Sequence, residues 1–401
     1  MDFKKYIIII ITFCLACTTK KHDSNSLVTI QADPTSAIDL KQSEIFNKIE
    51  YIQLESKNGN LIGGIHSLQV INDTFFINDG NHVYLFDKKG NFLNKIGKKG
   101  KGPNEYLTLK NFKINPINKT IDIIDINGKK ILTYNFNNSH VDNWDIDMYA
   151  YDFIKTSSDY LFYCGYEQNE KSKFALNIIK EGKSLIKEKH FPINKNMAWY
   201  YYLMQDRYFY TFNDSIFLFR DPFDTIYTYQ NERIIPSRVL DFGKYKLPTK
   251  FIEKKHDNIF SFSDKADDYS YVHHVNHFIE NSSLIYFTFR FKGQKYQVFH
   301  KKLNNKTYVA HSIIHDITLN NLKVETNYQE VPRAFSDKAL YYIIEPYYFK
   351  DKINQIKTNL TSAEWNAYLN NQKEIKFLYN NIKLDNNPII GVYYLHNESN
   401  L

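Results

Sequence analysis

The segment YVHHVNHFIE sets His273 and His277 four residues apart, a spacing that puts both imidazoles on one face of a strand with His274 on the other. Two imidazoles and a nearby carboxylate such as Asp267 or Asp268 make a donor set for a divalent metal. A metal held there would suit a hydrolase or a lyase. Strand histidines are also ordinary hydrogen-bonding residues, and His311 and His315 repeat the spacing without a further ligand cluster. The aromatic run MAWYYYLM, Met197 to Met204, is the second unusual feature. Trp199, Tyr200 and Tyr201 could form a stacking platform for a sugar or peptide, and the competing reading is that they pack in a core.

Other motifs carry less chemistry. The loop GKKGKG, Gly97 to Gly102, has the glycines of a phosphate cradle but lacks the Lys-Ser/Thr that ends a P-loop, and Pro103 follows it in place of a helix. It reads as a turn. No G-x-S-x-G or H-E-x-x-H occurs, and the C-x-x-C of Cys14 to Cys17 lies at the end of the N-terminal apolar run, which removes the common hydrolase, zinc-protease and redox signatures from the rest of the chain. Asp122, Asp125, Asn127 and Gly128 hint at a calcium loop, yet Ile123 falls on its first ligand position. Asp125 is therefore expected to stabilise a turn.

The elements that must position these residues are strands. The 401 residues include 32 Tyr and 30 Phe with only 14 Gly and 10 Pro, a balance suited to half-buried pleated surfaces and an all-β fold. With 51 Lys+Arg against 44 Asp+Glu, charges are mixed, and nucleic-acid binding is not expected despite the net charge of +7. Lys4 and Lys5 precede an apolar run, Tyr6 to Ala16, that is too short to span a bilayer and reads as a signal peptide over residues 1–16. It ends Leu15-Ala16-Cys17, which resembles a bacterial lipobox with Cys14 where Leu is usual, so Cys17 is the expected lipidation site. Residues 17–42 then read as a lipidated tether and linker. Cleavage leaves Cys164 without a partner thiol, so a large core must do the work of disulfides.

A unit of apolar strand, Asp/Asn/Gly turn and second apolar strand recurs from Thr74, Thr120, Tyr160, Ser215, Leu284 and Ala339. The intervals are near or above the ~40 to 50 residues of a propeller blade. Phe75 and Ile77 face one way and Phe76 the other, as expected of a strand covered on both sides. The last unit, ending PIIGVYYL, lacks a fourth strand, and SEIFNKIEYIQLES (Ser43 to Ser56) is available to complete it. The expected fold is thus a six-bladed β-propeller over residues 43–401, closed by an N-terminal strand. A helical insertion is expected at about 347–384, where Thr361 and Glu364 form a capping box ahead of Trp365, Tyr368, Leu369 and Leu378.

The closing segment, the run HVYLFDKKGNFLNKIGKKGKGPNEY, the stretch DTIYTYQNERIIPSRVLDFG and the ending DNNPIIGVYYL together resemble the six-bladed β-propeller lipoproteins of Bacteroides-type bacteria. That family's loop tends to read G-x-G-P-G-E-Y; Gly100, Gly102, Pro103, Glu105 and Tyr106 match, and Asn104 takes a Gly position that Asn can fill in the left-handed conformation. The resemblance implies a fold and an envelope location, facing the periplasm or the exterior, and no established reaction. The preferred function is a lipid-anchored, non-enzymatic module that binds a glycan, peptide or partner protein. Its expected rim comprises Asp79, Lys101, Glu105, Asp125, Trp199, Tyr200 and Tyr201. No cofactor is expected under this reading. The alternative is the metal-assisted enzyme with its channel site at His273 and His277.

Overall fold

The computed structural model describes residues 27–57, 59–166, 173–181, 186–197, 200 and 207–396. Strands dominate, and they form six sheets that follow one another along the chain. Apart from the strands that residues 28–53 add to the last three sheets, the innermost strand of each comes first in sequence: Ser67–Ile71, Leu109–Asn115, Asp152–Lys155, Phe209–Phe212, His273–Glu280 and Ala334–Phe335. Each is followed by antiparallel neighbours in order outward. The six recurrences seen in the sequence fall on the second strand of each sheet, for example Thr74–Asn78, Ser215–Phe219 and Ala339–Ile344.

Turn chemistry and packing explain the arrangement. Tight hairpin turns need two successive left-handed residues, and Asn72-Asp73, Asn213-Asp214 and Asn231-Glu232 all have positive φ, so Asn and Asp serve where Gly is scarce. Every apolar cluster between sheets joins two consecutive ones: Phe76 packs with Phe112 and Ile123 of the second sheet, while Phe75 and Ile77 pack with Ile390 and Val392 of the sixth. First and last sheets therefore share a core just as neighbours do, in a propeller-like arrangement. Each buried aromatic contributes about 1.5–3 kcal/mol.

The N-terminal segment does more than expected. Phe46–Gln53 pairs antiparallel with Ile389–Leu395 and supplies the outer strand of the last sheet. Upstream, within the stretch expected to be linker, Val28–Gln31 adds in parallel to the fourth sheet and Ile38–Lys41 to the fifth. The linker reading of residues 28–41 is therefore corrected. Ile30 and Leu40 are buried against those sheets, and a single inward side chain per four-residue strand gives too little pattern to reveal a strand in sequence.

Among the described residues five α-helices decorate the sheets. Helices α1 (Thr249–Ile252) and α2 (Ile259–Asp268) lie in the connection from the fourth sheet to the fifth. The insertion in the last sheet holds three helices where one was expected: α3 (Pro346–Thr358), α4 (Ser362–Asn371) and α5 (Lys373–Asn381). The capping box of Thr361 and Glu364 opens α4. Phe349, Ile353 and Ile356 form the buried stripe of α3.

Candidate functional site

The inner strands surround a channel, and its two cavities are lined by side chains from all six sheets or the residues just before them. At one mouth is a cavity of about 210 Å³ bordered by Ser67 and Gln69, Asn111 and Lys113, Asn276 to Ile279, Pro332 and Arg333, and Arg207. The opposite end opens into about 660 Å³ that shares Gln69, Lys113 and Arg207 but is otherwise lined by residues such as Ile71, Ile114, Ile154 and Phe335. Ser67 pairs with Asn78 and Leu109 with Asp125, so the first mouth lies on the face that carries the turns after the second strands.

A buried carboxylate organises the mouth. Asp152 accepts from the backbone N–H groups of Tyr208 and Phe209 at 2.8 and 2.9 Å and from Asn111 Nδ2 at 2.9 Å, and it pairs with Lys113 Nζ at 2.8 Å. Inner strands of the second, third and fourth sheets are thereby tied together. Burial pushes the Lys113 ammonium below its ordinary pKa, an effect that Asp152 opposes. Arg207 sits just before the fourth inner strand and reaches across to the carbonyls of Leu68 and Arg333, its guanidinium 5.4 Å from the ring centre of Phe335. Arg333 in turn donates to the His66 carbonyl at 3.4 Å. Sequence reading passed over both arginines because each looks like a loop residue. The available signal was their scarcity, six Arg among 51 basic residues, with these two one or two positions ahead of an inner strand.

The histidine pair is not brought together as the strand alternation predicts. His274 and His277 both have positive φ, and the pairing with Leu284–Phe291 shifts register on either side of Asn276. These bulges break the alternation that four-residue spacing assumes. His273 is buried against α2, with Nε2 3.0 Å from Asp267 Oδ1, a direct hydrogen bond between the two. His277 instead lines the channel, its Nδ1 3.0 Å from Thr288 Oγ1. Asp268 is exposed. Among the described residues, no three His, Cys, Asp or Glu side chains gather in a way that could hold a metal.

The expected rim divides. Asp79 and Asp125 are buried, and their carboxylates are taken up by turns: Asp79 accepts from Asn81 and His82, Asp125 from Leu107, Thr108 and Gly128. Glu105 accepts from Gly102 N–H and pairs with Lys98, so the glycine-rich loop holds its own carboxylate where a phosphate was conceivable. A side chain at Gly100 would collide with that carboxylate. Asn104 does not adopt positive φ, so this loop has no need of the family's glycine there. Lys101 is exposed. Trp199, Tyr201 and Cys17 lie outside the described residues.

The stacking role expected of Tyr200 gives way to a core role. Its ring is 2% exposed, packed edge-on against Tyr166 and Phe262, and its hydroxyl donates to Asp221 Oδ2. Burial pushes the Asp221 carboxyl up to about 8, against the lowering effect of that hydrogen bond. Asp221 is thus protonated in the folded protein at neutral pH and ionised in the unfolded chain, so its contribution to stability falls as pH rises from the unfolded value through about 8. Asp221→Asn is expected to flatten this dependence and to exceed the parent's stability by about 1–3 kcal/mol at about pH 9. Urea unfolding at about pH 5 and about pH 9 checks it; equal pH slopes in the two proteins would remove the protonated carboxyl from the account.

A family model described as a domain of unknown function, DUF4934, matches residues 27–394. The chain belongs to the DUF4934 family. The crystal structure of a Bacteroides fragilis protein named as an exported one is similar to this DUF4934 chain with a TM-score of 0.71 at 18% identity, covering 93% of this chain and 100% of that one. A DUF4221-family member from Bacteroides vulgatus aligns with a TM-score of 0.49 at 11% identity, over 88% and 98% of the two chains. The first likeness supports the fold. Among curated proteins none matches the sequence.

Proposed function

We propose that this DUF4934 chain is an exported, lipid-anchored six-bladed β-propeller, closed by Phe46–Gln53, and that it acts as a non-enzymatic binding module. Support for closure is the core shared by first and last sheets and the pairing of that strand with Ile389–Leu395. Support for export is the Lys4, Lys5 and apolar leader together with the exported designation of the Bacteroides fragilis relative. No helix among the described residues is long and apolar enough to cross a membrane. Anchoring then falls to Cys17. Cys17→Ala is expected to leave a folded protein that departs from the membrane fraction on cell fractionation, and its retention there would contradict the anchor.

The observation that carries the binding reading is the polar cavity at the channel mouth, where Ser67 Oγ and Asn276 Oδ1 are buried with no hydrogen-bond partner among the described residues. Orphaned polar atoms in a concave site are costly until a ligand satisfies them. The ligand, a glycan, a peptide or a protruding element of an envelope protein, enters the channel mouth, and the rim loops shape the approach. A glycan and peptide array with the parent and with Ser67→Trp, which fills the cavity, tests this: binding lost in the folded variant supports the channel site, and unchanged binding refutes it.

A further inference from the structure

We infer that Tyr328 and Tyr347 form a stacking platform for a sugar ring, and that the ligand of the channel mouth is a glycan whose chain lies across this platform. The inference rests on the channel-site reading above and narrows its ligand to one class. Both rings stand on the face that carries the mouth. Tyr347 lies in the first turn of α3, in the connection that follows the second strand of the last sheet, Ala339–Ile344. Tyr328 opens the short helical turn Tyr328–Glu330, and Pro332 at the border of the mouth follows soon after, so that at most about 14 Å of extended chain separates the two.

The rings of this protein are mostly buried between sheets, whereas Tyr328 is 62% and Tyr347 52% exposed. Their hydroxyls are 2.7 Å apart, so each side chain holds the other, and Gln329 Nε2 donates to the Tyr347 hydroxyl at 3.4 Å. The support beneath them is polar and buried. Asn327 Oδ1 accepts from Gln329 N–H at 2.8 Å, and its Nδ2 donates to the Tyr348 hydroxyl at 3.1 Å. Tyr348 donates in turn to Glu330 Oε1 at 2.6 Å, and Glu330 Oε2 lies 3.1 Å from Nε2 of the buried His315. The loop and the first turn of α3 are thereby fixed to each other and to the fifth sheet. Rings already held in place lose little rotamer freedom when a ligand settles on them.

The chemistry of the pair favours a sugar over a peptide. A phenol has an apolar face and a polar tip, which complements a pyranose with its C–H face and its rim of hydroxyls. The bond between the two hydroxyls consumes one of their protons and leaves the other to donate, while lone pairs on both oxygens can still accept. Sugar hydroxyls both donate and accept, so they match such an uncharged edge. An extended peptide instead takes main-chain hydrogen bonds from a sheet edge. Tyr328 and Tyr347 belong to helical segments, which offer no strand edge, and the Gln329 N–H between them and the mouth is already taken by Asn327.

An array of neutral oligosaccharides of glucose, galactose, mannose, xylose and N-acetylglucosamine, printed beside extended peptides and read with the full-length protein in detergent, tests the inference. The parent is expected to bind an oligosaccharide. Isothermal titration with that oligosaccharide is expected to show an affinity at least about tenfold lower for Tyr328→Ala and for Tyr347→Ala, with an unchanged melting temperature. Tyr347→Phe keeps the ring and is expected to bind more tightly than Tyr347→Ala. Oligosaccharide binding that both alanine variants retain and Ser67→Trp abolishes overturns the platform while the channel site stands, and so does parental binding to peptides alone. Binding lost in both alanine variants but unchanged in Ser67→Trp supports the platform and refutes the channel site. Failure of the parent to bind any of these oligosaccharides overturns the inference.

Discussion

Replacing Asp152 by alanine is expected to lower unfolding free energy by about 3–5 kcal/mol, the cost of breaking a buried charge pair by removing one partner. The size follows from what the carboxylate holds. It accepts from Tyr208 and Phe209 N–H, from Asn111 and from Lys113, and so joins inner strands of three sheets at the point where they line the channel. Its loss strands two backbone donors and leaves Lys113 without its counter-charge, a penalty larger than the net worth of the bonds themselves. Asp152→Ala combined with Lys113→Met is expected to recover part of the loss. Urea unfolding of the four proteins of that cycle checks both statements. A single-variant loss within about 0.5 kcal/mol would show that the network does not join the sheets.

The second large effect concerns the N-terminal strand. Deleting Ser43 to Ser56 removes the outer strand of the last sheet, and with it the buried Phe46, Ile49 and Tyr51. At about 1.5–3 kcal/mol for each such side chain, the deletion takes away a large fraction of a typical domain's stability. Hydrogen exchange in Ile389–Leu395 is expected to rise sharply, because its backbone groups lose the partners they find in Phe46–Gln53, more than three hundred residues away in sequence. Unchanged protection there would contradict ring closure.

How far the sequence speaks depends on where apolar pattern is strong. The second strands of the sheets are covered on both faces, and their runs of Phe, Ile and Tyr announce the repeat. The inner strands are nearly silent: Ala334–Phe335 is two residues long, and Ser67–Ile71 alternates only weakly because one side faces a polar channel. The candidate site is built on those quiet strands, so Arg207, Arg333, Lys113 and Asn276 were overlooked while conspicuous residues drew attention. Tyr200 was conspicuous and proved to be core. The histidines misled for a different reason, since spacing rules assume regular pleating and Asn276 sits between two register shifts. Asp79 and Asp125 look exposed in turn sequences, yet turns consume such carboxylates through their own N–H groups.

The location of the ligand is the point on which the functional account depends. A crystal of the protein soaked with the tightest-binding ligand of the glycan and peptide array measures it directly. The expected result is density at the channel mouth, with a donor group of the ligand within hydrogen-bond distance of Asn276 Oδ1. Density on the outer rim beside Lys101 and Glu105 with an empty channel would contradict the account, as would a soaked crystal with no bound ligand at all.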